Sequence, residues 1–371
     1  MAAFRKRSKN PPFLSQEFLI HNHADIVSCL VVLVLIGLMF EVTAKTAFMF
    51  ISPQNNVSTT TADGDVVYYL YGSCDFVTIL FYICITIIFH AVVQEYGLDK
   101  LNKRLHLSKI KHGKLNESGQ LIVLHLTSAI WASVIIVTEG YVTNPSCLWE
   151  KYPHTDLSFQ VKFFYLCHLA YWTHSLPELY FQRVRKEEIV RQLQYIGLYL
   201  LHIAGAYLLN LTRLGVVLLL LQSVAELLFH VARLFYFINE NQQKFFSAWA
   251  VIFVVTRLMT LTLAVLVVGF GLSRVEHQIF DIERGIFNTL PIRLGILATV
   301  CTTQAWMMWR FINFQLRRWR EFRAEQAARR KITGVVAARG RVIRREPGHH
   351  ENGLIKSENG ASPRARKTKS P

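Results

Sequence analysis

The chain has 371 residues, 52% of them hydrophobic and 18% charged, with a formal net charge of +16. Its apolar residues fall in separate blocks, several of them near the roughly 20 residues that cross a hydrocarbon core, and this clustering excludes a soluble globular domain. Six scattered cysteines, with no CxxC and no Cys/His metal spacing, exclude a disulfide scaffold and predict no metal or cofactor.

The N-terminus, "MAAFRKRSKNPP", stays polar to about Ala24 and lacks the short apolar core and small-residue cleavage site of a removable leader. The first span, near 25–50, is therefore expected to be retained. Glu41 and Lys45 interrupt it and leave an apolar core over 26–40; spaced i, i+4, they are expected to pair. His21, His23 and Asp25 are placed at the entry of this span, as interfacial caps rather than metal ligands. Further spans are expected near 75–95, 120–139, 160–181, 192–211, 214–238, 249–272 and 290–312. The fourth is the weakest, because it holds His168, His174, Pro177 and Glu178, and Pro177 is expected to kink or end it. "GFG" at 269–271 has no basic phosphate-binding pattern after it and reads as close packing or a helix end.

Lys and Arg concentrate in the N-terminus, in the loops after the second and fourth spans, and in the C-terminal tail; the loop after the first span has none. Positive charge collects on the cytosolic side. The alternation predicts a polytopic all-α membrane helix bundle of eight transmembrane helices with both termini cytosolic. Of three glycosylation sequons, Asn56 falls in the Lys/Arg-free loop on the lumenal side and is the expected acceptor. Asn116 is cytosolic, and Asn210 lies too close to the membrane. Cys74 and Cys147 both fall toward the lumenal side, and whether they pair stays open. From Asn313 the tail has 16 Lys and Arg against 5 Asp and Glu. "QLRRWREFRAEQAARRKI" reads as helix along the membrane surface anchored by Trp319 and Phe322, and the rest as a solvated basic tail. Its functional readings are contact with anionic lipid or with a ribosome surface.

The sixth span poses the main functional question. In "LLLLQSVAELLFHVARLFYF" (218–237), Gln222, Glu226 and His230 are spaced i, i+4, i+8, and Arg233 is three further on, so all four share one helix face. An ionisable residue at mid-bilayer costs on the order of 2.5–3.5 kcal/mol, which is offset only if the stripe faces other helices or water. His202, His168, His174, Glu178, Arg257 and His90 on neighbouring spans are available as partners. Two readings stand: a buried polar network that fixes packing, or an internal polar groove that takes a peptide or a phospholipid.

"HNHADIVSCL" (21–30), "GLMFEVTAK" (37–45), "KLNESGQL" (114–121), "PELYFQ" (177–182), "HIAGAYLLNL" (202–211), "ARLFYF" (232–237) and "FINFQLRRWRE" (311–321) resemble the translocating chain-associated membrane proteins along nearly the whole chain. The resemblance implies an endoplasmic reticulum membrane protein beside the Sec translocation channel. Such proteins assist translocation of nascent secretory polypeptides and insertion of signal sequences and membrane segments into the bilayer. It implies an organisation of a cytosolic segment over 1–24, two spans over 25–115, a TLC domain over 116–325, and a basic tail over 326–371. The TLC-like part is also similar to the ceramide synthases, which carry a histidine pair on one helix and two aspartates on the next. Here the pair falls on Gln194 and Tyr195 and the aspartates on Ser223 and Glu226. Gln cannot act as a general base and Tyr is a poor one near neutrality, so no enzyme activity is expected. The alternative function is a lipid N-acyltransferase of the ceramide-synthase type; a transporter ranks last, because no internal repeat is evident.

Overall fold

Ser15 opens the first helix: its Oγ accepts the Phe18 amide at 3.2 Å, and Glu17 places a carboxylate in the first turn. This is seen in a computed structural model that describes residues 15–61, 64–106, 109–181, 186–238 and 244–343. The basic N-terminal cluster, Arg183, Arg185 and the tail beyond 343 lie outside the described residues. The helices are α1 (Gln16–Gly37), α2 (Glu41–Ile51), α3 (Cys74–Val92), α4 (Asp99–Leu105), α5 (Lys109–Thr138), α6 (Phe159–Phe181), α7 (Lys186–Leu208), α8 (Thr212–Ile238), α9 (Lys244–Ala264) and α10 (Leu290–Ile343). Wider π turns extend α3 over Val93–Leu98 and α9 over Val265–Gly271. Among the described residues, four helical stretches are long and apolar enough by themselves to cross a membrane: Cys74–Leu105, Lys111–Thr138, Thr212–Tyr236 and Phe245–Arg274.

The fold divides into two units, Met1–Met308 and Trp309–Pro371. In the first, α5 packs on α8, α3 on α6, α8 on α9 and α6 on α7. The core is aromatic and aliphatic, with Trp172 stacked on Tyr199 at 3.8 Å and Phe164, Leu166 and Ile203 fully buried. In the second unit the described residues continue α10, and Arg323 lies 3.7 Å over the Trp319 ring.

Several expectations are corrected. The first span is two helices, because α1 ends at Gly37 and a turn over 38–40 separates it from α2. Glu41 begins α2 and makes no ion pair with Lys45; its charge lies in the first turn, where it faces the helix dipole. α1 kinks at Asn22 and its apolar part runs over Asn22–Gly37, so His23 and Asp25 do stand at the entry of that part, where His23 stacks on Phe181 at 4.8 Å. Pro177 lies inside α6 rather than ending it, and the helix runs to Phe181, the end expected for this span. The bundle is all-α as expected, and two short hairpins lie in its loops. β1 (Asn56–Thr61) pairs antiparallel with β2 (Gly64–Tyr69), and β3 (Phe280–Asp281) with β4 (Ile286–Phe287). All six cysteines are free.

These strands belong to a layer formed by the loops after the first, third, fifth and seventh expected spans. Tyr69 and Leu157 exchange backbone hydrogen bonds of 2.8 and 3.1 Å. Tyr152 donates to the Leu209 carbonyl at 2.8 Å and accepts from the Phe287 amide at 3.2 Å. Arg213 donates to the Cys147 carbonyl at 2.8 Å. Asn210 ends α7 at φ +60°, a left-handed conformation that Asn tolerates, while the Leu211 amide bonds back to Ala206 at 2.9 Å. Its buried side chain donates to the Gly285 carbonyl at 2.7 Å. Gly285, at φ +66°, has no room for a Cβ, which would meet Asn210 at 2.6 Å. Burial drives the His154 pKa down to about 4, helped by the nearby Arg213 charge, and pushes the Tyr152 hydroxyl up to about 12. Beneath the layer, Lys162 Nζ bonds Asp75 at 2.7 Å and the carbonyls of Gln54 and Leu70 at 2.8 and 2.6 Å.

Candidate functional site

Period-3.6 geometry turns Gln222, Ser223, Glu226 and His230 of α8 inward. Gln222 is the hinge of this face. Its amide donates to the Tyr199 hydroxyl at 3.0 Å and to Glu226 at 2.9 Å. The other Glu226 oxygen lies 3.9 Å from His230 Nε2, and the His230 ring stacks parallel to His125 of α5 at 6.1 Å. One residue along, Ser223 meets Ser128 of α5 at 2.9 Å, and Ser128 meets His168 Nε2 at 2.9 Å. His168 Nδ1 faces the Phe164 carbonyl at 2.9 Å. A carbonyl can only accept, so in the neutral ring Nδ1 carries the proton and Nε2 accepts from Ser128; Ser223 then donates to Ser128. The result is a directed, fully satisfied chain joining α6, α5 and α8.

Arg257 of α9 approaches from the opposite side and is only 3% exposed. It donates to Gln304 of α10 at 3.3 Å and lies 5.0 Å over the Phe253 ring. It balances Glu226 electrostatically across the bundle without a direct ion pair. Its Nε and Nη2 have no hydrogen-bond partner, nor do His202 Nε2, His125 Nε2 and His230 Nδ1. A buried donor or acceptor left unpaired costs about 1–3 kcal/mol, so these groups mark polar capacity that the packing itself leaves unused.

A cavity of about 380 Å³ opens between α7, α8, α9 and α10, within the size range of small-molecule pockets. Most of its wall is aliphatic, including Leu211, Leu214, Leu218, Val268 and Ile296. Its polar lining is Tyr199, His202, Gln222, Thr260, Thr303 and Gln304. The hydrogen bond from Gln222 to Tyr199 and that from Arg257 to Gln304 gather these groups toward one end. The expected polar groove is thus an aliphatic slot with a polar cap, because the α8 stripe spends most of its hydrogen bonds on α5 and α7.

The residues expected to form one site separate into three groups. Gln222, Glu226, His230 and Arg257 come together, with His168 linked through Ser128 and Ser223, and His202 on the cavity wall. Arg233 leaves the group: it pairs with Glu117 of α5 at 3.2 Å, nearer the helix end. His174 and Glu178 also leave it and join His90 of α3 instead. Sequence reading missed His125, Ser128, Tyr199 and Gln304. None carries a local signal; a polar stripe on a single helix cannot name its partners. It also missed Lys162, although a lysine four residues into "FQVKFF" was a visible anomaly.

Of the two residues expected to stand in place of a ceramide synthase histidine pair, Gln194 is exposed and the Tyr195 hydroxyl lies 3.4 Å from that of Tyr199 within the network. Residues 114–313 match the family described as TLC domain. Over 151 residues, 39% of the chain and 37% of the relative, the sequence is 29% identical to ceramide synthase 4 of Mus musculus. It is 67% identical over 369 residues, the full length of both chains, to translocating chain-associated membrane protein 2 of Mus musculus and equally so to that of Homo sapiens. Agreement at that level from end to end places this chain, a helical membrane protein with a TLC domain, in the family of translocating chain-associated membrane proteins.

Proposed function

We propose that this protein works in the endoplasmic reticulum membrane beside the Sec channel, where it assists translocation of secretory polypeptides and passage of signal sequences and membrane segments into the bilayer. The observation that carries this reading is the 67% identity along the whole chain to relatives named for association with translocating chains. The slot between α7, α8, α9 and α10 supplies a mechanism. Its aliphatic walls suit an apolar segment or an acyl chain, and the cap of Gln222, His202 and Gln304 offers hydrogen bonds to a polar atom carried with it. A weakly apolar signal leaving a channel meets less penalty where such groups replace water. Gln222, Glu226, His230, Arg257, His202 and His168 are the working residues of this reading. Arg233, His174 and Glu178 support the bundle around them.

Eight crossings with cytosolic termini complete the proposal. Supporting it, the loops after the first, third, fifth and seventh spans hydrogen-bond to one another, and loops that bond directly share one side of a membrane. The organisation proposed is a cytosolic segment over 1–24, two spans over 25–115, a TLC domain over 116–325 and a basic tail over 326–371 that meets anionic lipid or the ribosome. No catalysis is proposed. The acyltransferase reading would need a histidine pair where Gln194 and Tyr195 stand.

A photo-crosslinking residue at Leu218, on the cavity wall, tests the reading in microsomes bearing stalled nascent chains. Adducts to the signal segment are expected, and they should weaken when Gln222 is replaced by Leu. Adducts from surface positions with none from Leu218 would leave the slot without a role in chain handling.

A further inference from the structure

Where α3 meets α6, three metal-ligating side chains converge away from the slot. His90 Nδ1 lies 3.3 Å from Glu178 Oε1, and His174 Nε2 lies 3.5 Å from Glu178 Oε2. The donor atoms of all three residues fall within 4.8 Å of one another. His174 is 2% exposed, and neither of its ring nitrogens has a hydrogen-bond partner. The i, i+4 spacing of His174 and Glu178 puts both on one face of α6, toward α3.

We propose that His90, His174 and Glu178 bind a divalent cation of the zinc class. A tetrahedral ion with ligands at about 2.0–2.1 Å holds its donor atoms roughly 3.4 Å apart, and each imidazole nitrogen stands at about that distance from one Glu178 oxygen, His90 from Oε1 and His174 from Oε2. Two imidazoles and one carboxylate are a zinc donor set that leaves a fourth position for water. His90 borders a cavity of about 370 Å³, which gives that water room. A bare ion pair accounts for the same residues less well. It satisfies Glu178 but leaves a buried imidazole at 3.5 Å with no hydrogen bond, a cost an ion would remove. The second group of this composition, His125, Glu226 and His230, is looser. Its carboxylate stands 3.9 Å from His230, gives its other oxygen to Gln222, and faces two parallel rings.

The ion would be a clamp between two parts of the chain. His90 precedes the segment matched as TLC domain, whereas His174 and Glu178 lie inside it. Binding would fix α3 against α6 and so add its binding free energy to folding. This inference is independent of the translocation reading.

The test uses full-length protein purified in detergent, stripped with chelator and reloaded with zinc or cobalt(II). Mass-spectrometric metal analysis should find one ion per chain, with cobalt giving the visible bands of a tetrahedral site. His174→Gln and Glu178→Gln should lower metal content about tenfold or more, while His230→Gln leaves it unchanged. For any variant that loses its fold, the wild type decides: zinc should raise its melting temperature after stripping, and magnesium should not. Wild type that takes up no zinc and shows no such rise would overturn the site. So would metal retained in folded His174→Gln, or metal lost only with His230→Gln.

Discussion

Lys162 is the residue on which the layered face depends most. An ammonium has three protons to donate, and here they go to Asp75 and two loop carbonyls; Tyr207 donates to the other Asp75 oxygen at 2.9 Å. Replacing Lys162 with Met leaves a buried carboxylate and two carbonyls without their cation, a loss of roughly 3–5 kcal/mol. The expected outcome is a large drop in the melting temperature of purified protein, with partial recovery when Asp75→Asn is added. No drop for Lys162→Met would show the ion pair to be idle. His154 adds a pH dependence. Its folded pKa of about 4 lies below the ordinary 6.5, so the neutral form holds the layer closed. That contribution is complete above pH 6.5 and is lost as pH falls toward 4, to a total of roughly 3 kcal/mol. Protection factors for amide exchange in residues 145–158, taken relative to the intrinsic rate at each pH, should therefore fall between pH 6.5 and 5, and His154→Asn should flatten the profile.

Among the elements, α8 illustrates what periodicity can and cannot tell. Its i, i+4, i+8 spacing correctly puts Gln222, Glu226 and His230 on the inward face, because helix geometry is local. Arg233, three residues on, was grouped with them by the same rule, yet it meets Glu117. An arginine near a helix end has the reach to follow a different partner, and spacing alone does not record reach. The hairpin of β1 and β2 was not legible either. "NVSTTTADGDVVYYL" carries β-branched residues and a turn signal, but two short strands are stable only with something to pack on, and the backbone bonds of Tyr69 to Leu157 supply it from 88 residues away. Gly271 behaved as expected: a Cβ there would meet the Trp149 ring at 2.5 Å, so the glycine is close packing.

At the scale of the molecule, the sequons test the proposed orientation. Asn56 is exposed at the start of β1, Asn116 accepts the Asn102 amide at 2.6 Å, and Asn210 is buried and committed to Gly285. A glycosidase-sensitive mobility shift in microsomes is expected to vanish with Asn56→Gln. A shift that survives that change and disappears with Asn116→Gln would reverse the topology. Composition and charge by themselves determined that this is a helical membrane protein, located most of its helices, and supplied the residue strings that mark its family. Those properties follow from short-range rules of hydropathy, helix period and local identity. Only the tertiary structure decided that Gln222 alone of the α8 stripe caps an aliphatic slot and that His174 and Glu178 belong with His90. It alone joined four loops into one bonded layer. Each of those outcomes depends on pairings between residues tens of positions apart, and a buried polar group takes whichever partner packing brings within hydrogen-bond reach.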